Sequence, residues 1–130
     1  MSGITKPWTA FDPGGAKRIP GTVGVYEIGD EAGKTLYIGC AGGREPFGLR
    51  GKITGHFTGP QAADGSPARP RAYRYEVNLQ YLTRWIELLT QHLEAQGGLP
   101  QWNERARSEL PRLGRFHRAA GVPAPSGGSP

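Results

Sequence analysis

At 130 residues the chain has room for one compact domain with one modest core, and a second catalytic domain is not expected. Its 16 Lys and Arg against 11 Asp and Glu give a formal charge of +5 and a pI near 9.7, a balance that favours an anionic partner such as nucleic acid. A single Cys excludes an internal disulfide framework, no apolar run approaches the roughly 20 residues of a membrane span, and the start Met1-Ser2-Gly3-Ile4-Thr5-Lys6 lacks a signal-peptide core, so a soluble cytoplasmic protein with no membrane partner is expected.

Residues 1–20 mix Gly, Pro and polar residues with Trp8 and Phe11, and predict an irregular arm that docks through its aromatics. Val23 to Ile28 and Thr35 to Gly39 favour strand, and the turn residues 29–34 between them predict an antiparallel hairpin. The period of two lets Tyr26 and Tyr37 share a face, subject to cross-strand register. After a loop at 41–46, Phe47 to Phe57 predicts a short helix with Leu49 and Ile53 as a core-facing pair four residues apart. The segment 58–71 is rich in Gly, Pro and Ala and carries Arg69 and Arg71, the composition of a mobile basic loop able to close over a phosphate backbone.

Ala72 to Val77 alternates Tyr73, Tyr75 and Val77 with Arg74 and Glu76, which predicts a third strand. Leu79, Leu82, Ile86, Leu89 and Leu93 recur at steps of three and four before Gly97-Gly98, the pattern of a helix lying on the sheet. Glu104 to Arg118 predicts a further helix interrupted near Pro111, and Pro123 to Pro130 a disordered tail. The expected organisation is an arm at 1–20, a domain at 21–105, a helical extension at 106–120 and a tail at 121–130. The expected class is α/β of the α+β kind, a small three-stranded antiparallel sheet flanked by helices.

Two short tyrosine motifs stand on the hairpin strands, Gly24-Val25-Tyr26 and Leu36-Tyr37-Ile38-Gly39. A basic helix follows them, and then Glu87 with Leu99-Pro100-Gln101-Trp102-Asn103 beyond it. Over roughly Val23 to Asn103 the chain resembles the GIY-YIG nucleases, with Val25 in place of the isoleucine of the name. The resemblance implies an endonuclease that hydrolyses nucleic-acid phosphodiester bonds, with Mg²⁺ or Mn²⁺ as cofactor; DNA is the expected substrate, with RNA left open.

It also implies roles for individual residues. Tyr26 matches the general base, which needs nearby positive charge because a free phenol has a pKa near 10. Tyr37 matches the polar support for the water or the scissile phosphate. Gly24 and Gly39 are the motif glycines that permit close approach, Glu87 is the metal ligand, and Asn103 is a loop-fixing residue. Glu76 belongs to a strand and Glu94 lies too close to Pro100 and Asn103 to compete with Glu87.

The helical cation is open between two positions. Leu49, Lys52, Ile53 and His56 fit the family register with lysine where arginine is expected, whereas Phe47 and Arg50 make the alternative pair. Positions 50 and 52 lie roughly 160° apart around a helix, so one of them faces a common site. Arg50 is preferred because a planar guanidinium holds two phosphate oxygens. His56 is a candidate for proton transfer or phosphate contact, and Lys52, Arg69 and Arg71 for substrate binding. Cys40 reads as a small packing residue, and His92 and His117 as structural or surface residues.

Two other readings accompany the nuclease. One is a catalytically weak or inactive nucleic-acid-binding module on the same fold; the other is a small interaction protein with structural tyrosines. No zinc finger or helix-turn-helix pattern is present, which leaves target choice to a specificity partner, a homo-oligomer or nucleic-acid shape.

Overall fold

The computed structural model describes residues 3–58, 70–106 and 110. They form seven regular elements: β1 (Thr9–Ala10), β2 (Gly24–Gly29), β3 (Thr35–Ala41), α1 (Gly48–Thr58), β4 (Ala72–Val77), α2 (Tyr81–Gln96) and α3 (Gln101–Arg105), with a 3-10 turn at Gly15–Arg18. The sheet has four strands in the order β1-β4-β2-β3, every neighbour antiparallel. The expected count of three is therefore corrected by β1, a two-residue strand from the arm whose Thr9 and Ala10 pair with Tyr73 and Ala72. Composition hid it, because two residues carry no period. The arm is also anchored elsewhere, since Ile4, Ala16 and Ile19 are buried.

Register decides which side chains share a face. Tyr26 lies opposite Gly39 on β3 and opposite Tyr75 on β4, and Ile28 lies opposite Tyr37 and Tyr73. One face therefore carries Tyr26, Ile28, Tyr37 and Tyr73, which pack with Leu49 and Ile53 of α1 and Trp102 of α3. The other face carries Val25 and Ile38, which pack with Trp85, Leu88 and Leu89 of α2. The result is helix on sheet on helix, with two thin cores in place of one.

The apolar face of α2 differs from the expected one. Leu79 precedes the helix and is 84% exposed, and Leu82 is 54% exposed, while Trp85, Leu88 and Leu89 are buried. Counting Leu and Ile steps from residue 79 placed the stripe about one residue off, because Trp85 is the anchor and its indole Nε1 donates to the Ile38 carbonyl at 2.9 Å. α3 also differs, starting at Gln101 where a helix from Glu104 was expected. Five residues cannot hold a helix alone, but burying Trp102 contributes roughly 4–6 kcal/mol of transfer free energy as an upper bound. The expected loop at 59–69, the extension beyond Ala106 apart from Leu110, and the tail lie outside the described residues.

Candidate functional site

α1 begins at Gly48, whose φ of +53° and lack of a side chain let the helix start against the preceding loop; a Cβ there would sit 2.4 Å from the Thr22 carbonyl oxygen. Loop carbonyls then take the first helical donors, Leu49 N–H to Thr22 O at 2.9 Å and Arg50 N–H to Pro20 O at 3.2 Å. With Leu49 and Ile53 turned into the sheet, His56 falls on the same stripe and is buried over β2 and β3.

There His56 Nε2 lies 2.8 Å from the Tyr26 hydroxyl, in a buried hydrogen bond. The Tyr37 ring completes the cluster, with its centroid 4.6 Å from the imidazole and 6.0 Å from the Tyr26 ring. Trp102 closes the far side of His56 at 6.2 Å. Gly39 makes this possible: a Cβ on it would stand 2.5 Å from the Tyr26 Cζ and hydroxyl and 2.6 Å from Tyr37. Tyr26 thus lies across the bare backbone of the neighbouring strand. It is wholly buried, whereas Tyr37 retains 8% exposure.

That exposure opens into a cleft of about 460 Å³ at the outer edge of β3, where the two faces of the sheet meet. Tyr37 and Lys52 enter it from the α1 side, Tyr81 and Trp85 from α2, and Arg44 and Glu45 from the loop after β3. Cys40 also lines it; burial pushes its thiol above the ordinary value, Lys52 opposing and Glu45 adding to the shift. A protonated thiol is a packing group, not a nucleophile.

Of the two candidate cations, Lys52 lines this cleft. Arg50 does not: it is exposed on the other side of α1, and its Nε donates to the Ile19 carbonyl at 2.8 Å. The angular argument separates the two residues, and Lys52 is the one on the side of the cleft. Helix phase outranks side-chain chemistry here.

Glu87 stands apart from the cluster. It receives a hydrogen bond from Arg84, whose Nε and second terminal nitrogen also reach Glu76 at 2.9 and 3.1 Å. Glu76 alternates with the tyrosines of β4, so this network occupies the α2 face of the sheet while Tyr26, Tyr37 and His56 occupy the α1 face. Burial opposes ionisation of Glu76, but hydrogen bonds from Arg84 and Asn78 outweigh it and hold the carboxyl below its ordinary value. Burial likewise opposes the charge on Arg84, and its two carboxylate partners raise it. A divalent ion at Glu87 would have to displace a guanidinium already bound to both carboxylates, so Glu87 as arranged does not fit the role of metal ligand. Among the described residues no three His, Cys, Asp or Glu gather in metal-binding geometry.

The remaining expected residues divide by position. Arg71 is exposed beside Gly29, whose carbonyl accepts its N–H, at the opposite end of β2 from the cleft loop and roughly 17 Å along the strand. Arg69 lies outside the described residues. Gly24 is a packing residue, since a Cβ would meet the Glu76 carbonyl oxygen at 2.2 Å. Asn103 is buried with its carboxamide clamped on Ile38, accepting from the N–H at 2.8 Å and donating to the carbonyl at 2.9 Å. It supplies the pairing that a further strand would give to the edge of β3.

A family model matches residues 2–95, which include the tyrosine cluster and the cleft. The chain belongs to the DUF7508 family, a domain of unknown function. No curated protein matches it. No solved structure matches it either. The DUF7508 match stops short of α3, so Trp102 and Asn103 stand beyond its limit although they pack against its centre. No helix among the described residues of this DUF7508 chain is long and apolar enough to cross a membrane.

Reading the sequence left Arg44, Glu45, Tyr81 and Trp85 out of the candidate site. Tyr81 and Trp85 carried a usable signal, because their i,i+4 spacing continues into Leu88 and Leu89 as one helix face. Arg44 and Glu45 carried none, since a loop's approach to a distant helix has no local signature.

Proposed function

We propose that the protein hydrolyses nucleic-acid phosphodiester bonds, DNA rather than RNA, at the cleft along the outer edge of β3. The observation that carries this reading is the continuity of one set of groups: Tyr37 touches the hydrogen-bonded Tyr26–His56 pair on one side and opens on the Lys52 cleft on the other. The net charge of +5 supports a polyanionic substrate, and the two tyrosine motifs that resemble the GIY-YIG signature supply the cluster.

In this mechanism the Lys52 ammonium neutralises charge that builds on the phosphoryl oxygens, and the Tyr37 hydroxyl hydrogen-bonds the phosphate or the attacking water. Tyr26 and His56 share a proton behind Tyr37 and orient it, the buried phenol acting through the imidazole and not on solvent. The expected divalent metal is not assigned to Glu87, and no step depends on it.

The placement of Glu87 favours a second reading, in which the fold binds nucleic acid without cutting it. Nicking of supercoiled plasmid and cutting of labelled single-stranded DNA, each with Mg²⁺, with Mn²⁺ and with EDTA, separate the two. Cleavage by the wild type that falls at least about 100-fold in Lys52→Ala and Tyr37→Phe, and persists in Glu87→Gln, supports hydrolysis at the cleft. Salt-sensitive binding with no cleavage in any condition replaces it with the binding module.

A further inference from the structure

The cleft is furnished for more than a phosphate. Three aromatic side chains, Tyr37, Tyr81 and Trp85, form part of its wall, two cations, Arg44 and Lys52, stand at it, and a single carboxylate, Glu45, is half-buried among them. A site for a phosphate alone needs cations and backbone N–H groups, and gains nothing from aromatic walls or a carboxylate. The volume of about 460 Å³ falls in the range of cavities that enclose small organic groups. Its position at a strand edge, between a loop and two helices, admits a splayed-out group from outside but not the width of a stacked duplex.

We infer that the cleft receives one unstacked base of single-stranded DNA, with Tyr81 as the stacking surface, Arg44 and Lys52 on the flanking phosphates, and Glu45 as acceptor for the exocyclic amino group of the base. The inference rests on the nucleic-acid reading and adds to it the strand state and the base class. Each part follows from the chemistry of the lining. Aromatic side chains stack on bases of any identity, and lysine and arginine pair with phosphate. An ionised carboxylate only accepts hydrogen bonds, so it selects adenine, cytosine or guanine, which carry an amino group, over thymine, which carries none.

The geometry explains why Tyr81 is free to serve. Its ring rests on the bare backbone of Gly42, where a Cβ would stand 3.0–3.2 Å from the ring, and the residue is only half-buried. Trp85 is more deeply set and is held by its hydrogen bond to Ile38, which makes it the floor. Tyr81→Leu keeps an apolar group against Gly42 and removes the stacking ring, and Glu45→Gln keeps the loop shape while adding donors to an acceptor-only group.

The test is fluorescence anisotropy with labelled dC12, dT12 and a duplex of mixed sequence beside its own single strand, at low salt, for the wild type, Tyr81→Leu and Glu45→Gln, each first checked for a cooperative unfolding transition. The expected result is a preference of at least about fivefold for the single strand over its duplex, lost in Tyr81→Leu, and a preference for dC12 over dT12 lost in Glu45→Gln. Equal affinity for single strand and duplex, unchanged in Tyr81→Leu, overturns the inference while leaving nucleic-acid binding intact. Failure of the folded wild type to bind any of the four probes overturns the functional reading itself.

Discussion

The two faces of the sheet use polar groups in opposite ways. On the α1 face they belong to aromatic rings, with the Tyr26 hydroxyl and the His56 imidazole joined inside an aromatic layer. On the α2 face they are ionic, with Arg84 bridging Glu76 and Glu87 and Arg74 paired with the buried Glu27 at 2.7 Å, beside a core of Trp85 and aliphatic side chains. Desolvating charges is expensive, and pairing offsets it here: each arginine keeps part of its side chain in solvent while its carboxylate partners accept its hydrogen bonds. A guanidinium locked between two carboxylates is a structural brace.

The largest test of this contrast is Gly39→Ala. The added methyl meets the Tyr26 and Tyr37 rings, both fixed by packing, and is expected to lower stability by about 3 kcal/mol and to break the Tyr26–His56 bond. Urea unfolding reads the loss, and a change under about 1 kcal/mol would show that the rings move aside.

Arg84→Met probes the other face with a smaller expected cost, about 2 kcal/mol at neutral pH, because it leaves two carboxylates without their cation in a part-exposed setting. Its pH dependence gives the sharper reading. The folded-state pKa of Glu76 is depressed, so its contribution is fully present above the ordinary carboxylate range and is lost as pH falls through the folded value. Wild-type stability should therefore fall in acid more steeply than that of Arg84→Met, and the two unfolding curves should converge. A gap that stays constant into acid would mean that Arg84 acts through packing of its stem.

The smallest effect is expected from Tyr26→Phe, which removes one hydroxyl and one hydrogen bond while the ring stays over Gly39. A loss of about 1 kcal/mol in thermal unfolding fits a neutral pair. A loss as large as that of Gly39→Ala would mean that the imidazole, and not the aromatic layer, holds this face together.

Much of the site was legible locally. The Tyr26 and Tyr37 strands, the Leu49–Ile53 stripe that carries His56, and the helix before Gly97 follow from periodicity, turn residues and glycine placement over a few residues. The separation of Lys52 from Arg50 was legible, since helix phase put them on different sides, but which side held the cleft was not. Arg84 and Glu87 are i,i+3 neighbours on α2, but the link to Glu76 was not legible, because Arg84 reaches it only when α2 lies on β4. The same holds for β1, where two residues become a strand only by finding the free edge of β4.

Sequence alone determined the elements near the centre of the domain, because backbone propensity and side-chain period act over spans of two to four residues. Tertiary structure decided which groups meet. Strand register set Tyr26 over Gly39, the two-sided packing of helices sent Glu87 to one face and His56 to the other, and Asn103 reached Ile38 across 65 positions of chain. Such contacts depend on how elements dock, and docking is set by the summed burial of many side chains instead of by any local pattern.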